Sequence, residues 1–201
     1  MDIPKLKDRR PPERKIFPNF TVLITVASVI VSVVKWMGYN DYAVYNRTTL
    51  FVGQIWRLWT CHLDHFTLRQ FFTGVIPFVI AGTIIEKKKF PFFISLYFVS
   101  ATFISAVVFF FYHNVQYYSG LSGVTMATVV FLCLHSFKEE SSWRWLYVMI
   151  LLGTLTIIGL ELAHGQSFAA MENEPHFLVP SVHLTGVLSA VFVFFVFKKR
   201  V

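Results

Sequence analysis

Six stretches of this chain, 17–34, 67–85, 90–112, 120–137, 143–162 and 179–197, are each almost wholly apolar. Each matches the roughly 17–25 residues that a helix needs to cross about 30 Å of hydrocarbon. Hydrophobic residues make up 55% of the chain and charged ones only 14%, and the mean hydropathy is +0.59, far from an ordinary soluble domain. The expected class is therefore an all-α polytopic membrane protein, a bundle of six transmembrane helices. The second window carries Arg69, Gln70 and Pro77, which a span tolerates when they face other helices or an aqueous cavity.

The first twenty residues are basic and proline-bearing and run into a full-length span without a small-residue cleavage site, so the first span is expected to remain. Cations set the orientation. With the N-terminus inside, only Lys35, Arg47, Arg57 and Arg69 of the 18 Lys and Arg residues fall on the outer side. Both termini are expected in the cytoplasm of a cell (inner) membrane protein. The net charge of +7 is then mostly a topology signal, and no nucleic-acid partner is expected.

No repeat, low-complexity tract or long linker divides the chain. It reads as a cytoplasmic basic segment, residues 1–16, followed by one membrane domain, residues 17–201. Cys61 and Cys133 fall at different depths, which argues against a disulfide. Tyr39, Tyr42, Tyr45, Trp56 and Trp59 crowd the first outer loop. Amphipathic aromatics of this kind settle at the headgroup level, so the loop is expected at the membrane interface.

Two spans carry chemistry at matching ends. Gly120-Leu121-Ser122-Gly123 opens the fourth and His183-Leu184-Thr185-Gly186 lies near the start of the sixth. Both spans run from outside to inside, which sets Ser122 and His183 at similar depth near the outer surface. Ser119, Gly123 and Ala127 recur every four positions, and Gly186 and Ala190 lie on the histidine's side. Small residues permit close backbone approach and hence a Ser–His hydrogen bond. Gly-x-Ser-Gly in an apolar helix is also common small-residue packing, but an intramembrane histidine at the same depth is a functional-site candidate by default. The α/β-hydrolase elbow fits poorly, because Val124 occupies its last glycine position.

These residues resemble the rhomboid intramembrane serine proteases from about Trp56 to the end. Trp56-Arg57 looks like the family's Trp-Arg signature, and Gly82 with Glu86 like its Gly-x-x-x-Glu. Gly120, Ser122 and Gly123 match the nucleophile motif, and His183 with Gly186 match the base motif. The resemblance implies a six-helix rhomboid-like bundle, a Ser122–His183 dyad with no acid, and cleavage of membrane-anchored protein substrates near the outer face of the bilayer. It aligns His65 with a position at the top of the second span that is often histidine. Where the family often has a second histidine and an asparagine that bind the oxyanion, this chain has Gln70 and Gly74. The amide of Gln70 still donates, and the backbone N–H groups of Leu121 and Ser122 complete the expected oxyanion site. Met126 stands where relatives commonly carry a tyrosine against the histidine; a thioether contact substitutes in part. His65, Gly120, Gly123, Met126 and Gly186 are expected to line the site. The segments at Thr60-Cys61-His62 and Val179-Pro180-Ser181-Val182-His183 look like rhombosortases, which implies removal of a C-terminal sorting helix from exported proteins.

In the expected mechanism His183 takes the Ser122 proton as the oxygen attacks a peptide carbonyl, with no metal or organic cofactor. Glu86 is read as structural or interfacial. Glu161 and His164, one turn apart near the outer end of the fifth span, are read as cavity lining or a hydrogen-bonded helix end. Two other classes compete. One is a rhomboid-like pseudoprotease that binds membrane clients; the other is an outer-side metal or haem protein using Cys61, His62, His65, His113, His164, His176 and His183.

Overall fold

The computed structural model describes residues 19–39, 41–88, 92–137, 143–164 and 181–197. The basic segment 1–16 lies outside them, as do His176, Val179 and Pro180. Eight helices appear among the described residues. The long ones are α1 (Asn19–Trp36), α4 (Leu68–Lys87), α5 (Phe93–Phe111), α6 (Ser122–Ser136), α7 (Arg144–His164) and α8 (Ser181–Phe197), one in each predicted window. Three of them, α4, α5 and α7, are long and apolar enough to cross a membrane by themselves, while α1, α6 and α8 are shorter apolar helices. Two short helices, α2 (Arg47–Phe51) and α3 (Arg57–Thr60), and a two-stranded antiparallel ribbon of β1 (Tyr45–Asn46) and β2 (Tyr117–Tyr118) build the connections from α1 to α4 and from α5 to α6.

The centre is α6. It packs against α4, α5, α7 and α8, and most of its residues are buried, from Gly123 to Ser136. Its small residues admit the neighbours: Ala127, like Ala190 of α8, is fully buried. The opposite extreme is α7, which buries only Thr154, Ile158 and Glu161. These three lie one turn apart, a single stripe on an otherwise lipid-compatible helix. With 15 residues, α6 is only about 22 Å long at roughly 1.5 Å per residue. It begins at Ser122 rather than at Gly120, because residues 117–121 are drawn into the ribbon and the turn that follows it.

The Gly-x-x-x-Glu and Trp-Arg motifs have structural duties. A Cβ at Gly82 would stand 2.7 Å from Thr21 Oγ1, so glycine is what lets α4 approach α1. Four residues on, Glu86 accepts from the backbone N–H groups of Phe20 at 2.9 Å and Thr21 at 3.4 Å. A carboxylate thus sits on the exposed donors and positive dipole end of α1. Arg57 is buried and donates to the carbonyls of Asp41 at 2.5 Å and Val44 at 2.6 Å and to Gln54 Oε1 at 2.7 Å, while Trp56 Nε1 donates to Tyr42 O. Together they tie the connection between α1 and α4 into one piece.

The loop aromatics divide. Tyr39, Tyr42 and Trp56 are exposed, but Tyr45 is completely buried. Its pairing with Tyr118 across the ribbon turns it inward, an outcome set by a partner 73 positions away in the chain. Cys61 and Cys133 are both free and buried.

Candidate active site

Ser122 is the first residue of α6, and the turn before it is held from several sides. Gly120 has φ +130°, a conformation L side chains rarely adopt, and a Cβ there would meet Gln70 Nε2 at 2.7 Å. Its N–H donates to Cys61 O at 3.0 Å. Its carbonyl accepts from the Tyr118 hydroxyl at 3.5 Å. His62, wholly buried, donates from Nε2 to Ala101 O at 3.1 Å and sets Nδ1 3.4 Å from Gly120 O. Burial pushes the His62 imidazole down to about 4, so the ring is a neutral strut.

Gln70 is also engaged at both ends of its amide. Oε1 accepts from Phe66 N at 2.8 Å and Nε2 donates to Ser119 O at 2.7 Å. The side chain is buried and therefore braces the 119–121 turn from α4. Of its two amide hydrogens, one is committed to Ser119. The N-cap of α4 helps to place it, since the Thr67 hydroxyl accepts from Gln70 N at 3.1 Å.

His65 meets the same turn. Leu121 N–H donates to its Nε2 at 3.4 Å, and Nδ1 lies 3.1 Å from Ser32 Oγ, which puts the ring proton on Nδ1. Burial, and next the positive charge of Lys35, push the His65 imidazole down to about 3. The Leu121 N–H, expected at the oxyanion, is thus occupied in this geometry. The N–H of Ser122 has no intrahelical acceptor, being first in the helix. Gly74 faces it: a Cβ there would lie 3.6 Å from Ser122 N and 3.4 Å from His65 Nε2. The Thr125 hydroxyl then ties α6 to α4 by donating to Gly74 O at 2.8 Å.

His183 arrives on the first turn of α8, whose approach rests on glycines. A Cβ at Gly123 would stand 2.6 Å from Val182 Cγ1, next to His183. Its Nδ1 donates to Glu161 Oε2 at 2.5 Å, with both side chains buried. That bond leaves Nε2 as the nitrogen open to a hydroxyl. No hydrogen bond closes between Ser122 and His183 among the described residues, yet both line one cavity of about 650 Å³. Helices α4 and α7 each pack on α6, and the cavity is the cleft left between them. Ser122, Thr125, Met126, Val129 and Cys133 supply its α6 wall at helical spacing. Thr73 and Arg69 stand on the α4 side and Glu161 on α7. Exposed Ile80, Leu146 and Ile157 form its rim.

The structure therefore brings Ser122, His183 and Met126 to one cavity, with Gly120, Gly123 and Gly186 as the close-approach positions around it. Gln70 and His65 stand behind the Ser122 turn rather than on the cavity wall. The contact that sequence reasoning missed is Glu161 on His183. An acidic residue near the C-terminal end of an apolar helix was the available signal, but its partner depends on how α7 meets α8. His164, one turn on, is exposed and bonded to Leu160 O at 2.7 Å. Among the described residues no cluster of three or more His, Cys, Asp and Glu suits a metal ion.

Among curated proteins none matches the chain. The family model of the Rhomboid domain matches residues 52–200, well over half of the sequence. That span holds the Trp-Arg loop, the braced Ser122 turn, the cleft and the His183 helix, and the chain belongs to the rhomboid family of membrane-embedded proteins that act on membrane protein substrates.

Proposed function

We propose that this protein is an intramembrane serine endopeptidase that uses Ser122 as nucleophile and His183 as general base. The observation that carries the reading is the shared cavity: a hydroxyl, Ser122, and an imidazole, His183, both stand on its wall, and exposed apolar side chains line it as well. Apolar walls suit a substrate's membrane helix, and polar groups gathered at one end suit a locally unwound peptide.

All six long helices cross the membrane in this reading, with the basic segment 1–16 and the C-terminus in the cytoplasm of a cell (inner) membrane. Residues 17–201 form the membrane domain. Ser122 then lies below the outer surface, because α6 is shorter than the bilayer is thick. His183 Nε2 accepts the hydroxyl proton as Ser122 Oγ attacks the peptide carbonyl. The imidazolium next gives that proton to the leaving amine, and water hydrolyses the acyl-enzyme. The oxyanion is met by the N–H of Ser122 at the positive end of α6. The N–H of Leu121, on leaving His65, and an amide hydrogen of Gln70, once that side chain swings from behind the turn toward the cavity, complete the set.

Apo catalytic hydrogen bonds are often long and tighten on substrate binding, which fits a Ser122–His183 pair still unclosed. The finer assignment is removal of a C-terminal sorting helix from exported proteins, in the manner of rhombosortases, supported by Thr60-Cys61-His62 and Val179-Pro180-Ser181-Val182-His183. Labelling with a serine-directed fluorophosphonate in detergent tests the chemistry. Attachment at Ser122 that disappears in Ser122→Ala is the expected result. A folded wild-type protein that never labels would favour a client-binding pseudoprotease instead.

A further inference from the structure

We propose that Glu161 is a positioning residue for His183, so that this chain works with a serine, a histidine and a carboxylate rather than with a serine and a histidine alone. The inference rests on the Ser122–His183 reading and deepens it. The Glu161 carboxylate accepts the proton-bearing Nδ1 at 2.5 Å. It thereby fixes the tautomer that leaves Nε2 bare, and it fixes the ring plane toward the cavity shared with Ser122.

Burial sharpens the argument. The side chain of Glu161 is 1% exposed and that of His183 8%. A carboxylate in such a place is costly unless paired, and a membrane span raises that cost. No other residue of α7 between Trp145 and Leu160 is charged. The single buried stripe of this helix, Thr154, Ile158 and Glu161, ends on the carboxylate that meets the base.

When His183 takes the Ser122 proton, the Oγ–C bond forms, the carbonyl electron pair moves to oxygen, and the imidazole becomes a cation. Glu161 stays ionised throughout and stabilises that cation across a short, dry hydrogen bond. The proton leaves again from Nε2 to the amine as the C–N bond breaks. Glu161 gains and loses nothing.

A tie that merely docks α7 on α8 would have the same distance, so the test must read chemistry apart from folding. Glu161→Gln keeps the size and an acceptor oxygen but removes the charge. Fluorophosphonate labelling of Ser122 is expected to slow roughly 10- to 10³-fold, with the Tm in detergent close to that of the wild type. KM for a cleavable transmembrane reporter is expected to hold while kcat falls. The control His164→Gln, one turn away and exposed, should label at the wild-type rate. Glu161→Gln labelling as fast as the wild type, while Ser122→Ala does not label, would overturn the role of Glu161 and leave the Ser122–His183 reading standing. Labelling that survives Ser122→Ala would instead overturn that reading and this inference with it. If Glu161→Gln does not fold, Glu161→Asp, which keeps the charge but shortens its reach to Nδ1, decides: slower Ser122 labelling by the folded variant supports the role, and labelling at the wild-type rate overturns it.

Discussion

Gly186 of α8 lies so close to α6 that a Cβ placed on it would stand 2.1 Å from the carbonyl oxygen of Gly123. No real side chain tolerates that distance to a backbone atom. The contact sets the spacing of the two helices one turn below His183 and directly beside Ser122. Gly186→Ala is therefore expected to push α8 outward, at an overpacking cost of about 1–3 kcal/mol or more. The Tm in detergent should fall, and Ser122 labelling should be nearly lost even in the fraction that stays folded. Unchanged labelling would mean that the site does not depend on this helix approach.

Gln70 carries two duties in the proposed mechanism, bracing the 119–121 turn and donating to the oxyanion. Gln70→Ala leaves Phe66 N and Ser119 O without their partner, which costs about 1–3 kcal/mol for each buried group left unsatisfied. The expected result is a lower Tm together with a fall in turnover of roughly 10–10³-fold. Single-turnover cleavage of a reporter, read at a temperature where the variant remains folded, separates the two. A lower Tm with undiminished single-turnover rate would restrict Gln70 to the bracing role.

His62 and His65 predict how stability follows pH. Burial lowers them to about 4 and about 3, the nearby Lys35 charge adding to the effect on His65, whereas an unfolded chain holds histidine near 6.5. Above pH 6.5 both states are neutral and the stability is fully present. As pH falls from about 6.5 toward about 4, the unfolded chain takes up protons that the folded protein refuses. Stability then drops by up to about 1.4 kcal/mol per pH unit for each histidine. A Tm series in detergent from pH 7.5 to 5 should decline, and His62→Gln should flatten the slope. A Tm that rises over this range would show that the rings are not buried neutral.

Glu86 gives a control far from the chemistry. Its carboxylate on Phe20 N and Thr21 N is expected to contribute about 0.5–2 kcal/mol, as helix N-terminal capping does. Glu86→Ala should lower the Tm while the labelling rate of the folded protein stays at the wild-type value. Slower labelling at full folding would mean that the α1–α4 junction reaches the site.

Much of this protein is written locally. Hydrophobic runs as long as a bilayer is thick dictate helices, because lipid offers backbone groups no other partner, and each of the six windows contains a long helix. The small-residue spacing around Ser122 and Gly186 likewise announces close packing, since it depends only on side-chain size along one helix face. Membership of the rhomboid family follows from motifs that are contiguous in the chain.

What escaped the sequence needs two segments to meet. Tyr45 has the composition of an interfacial aromatic, yet Tyr118 turns it into the core. Gln70 has a donor to offer, but only the fold shows that Phe66 and Ser119 claim both ends of its amide. Glu161 reads as one acidic residue near the end of a span. Its contact with His183 exists because α7 lays its one buried stripe along the cleft, and no periodicity within α7 or α8 encodes which residue of the other helix will stand opposite. Length and hydropathy are properties of a segment, whereas the environment of a charge depends on every element packed around it.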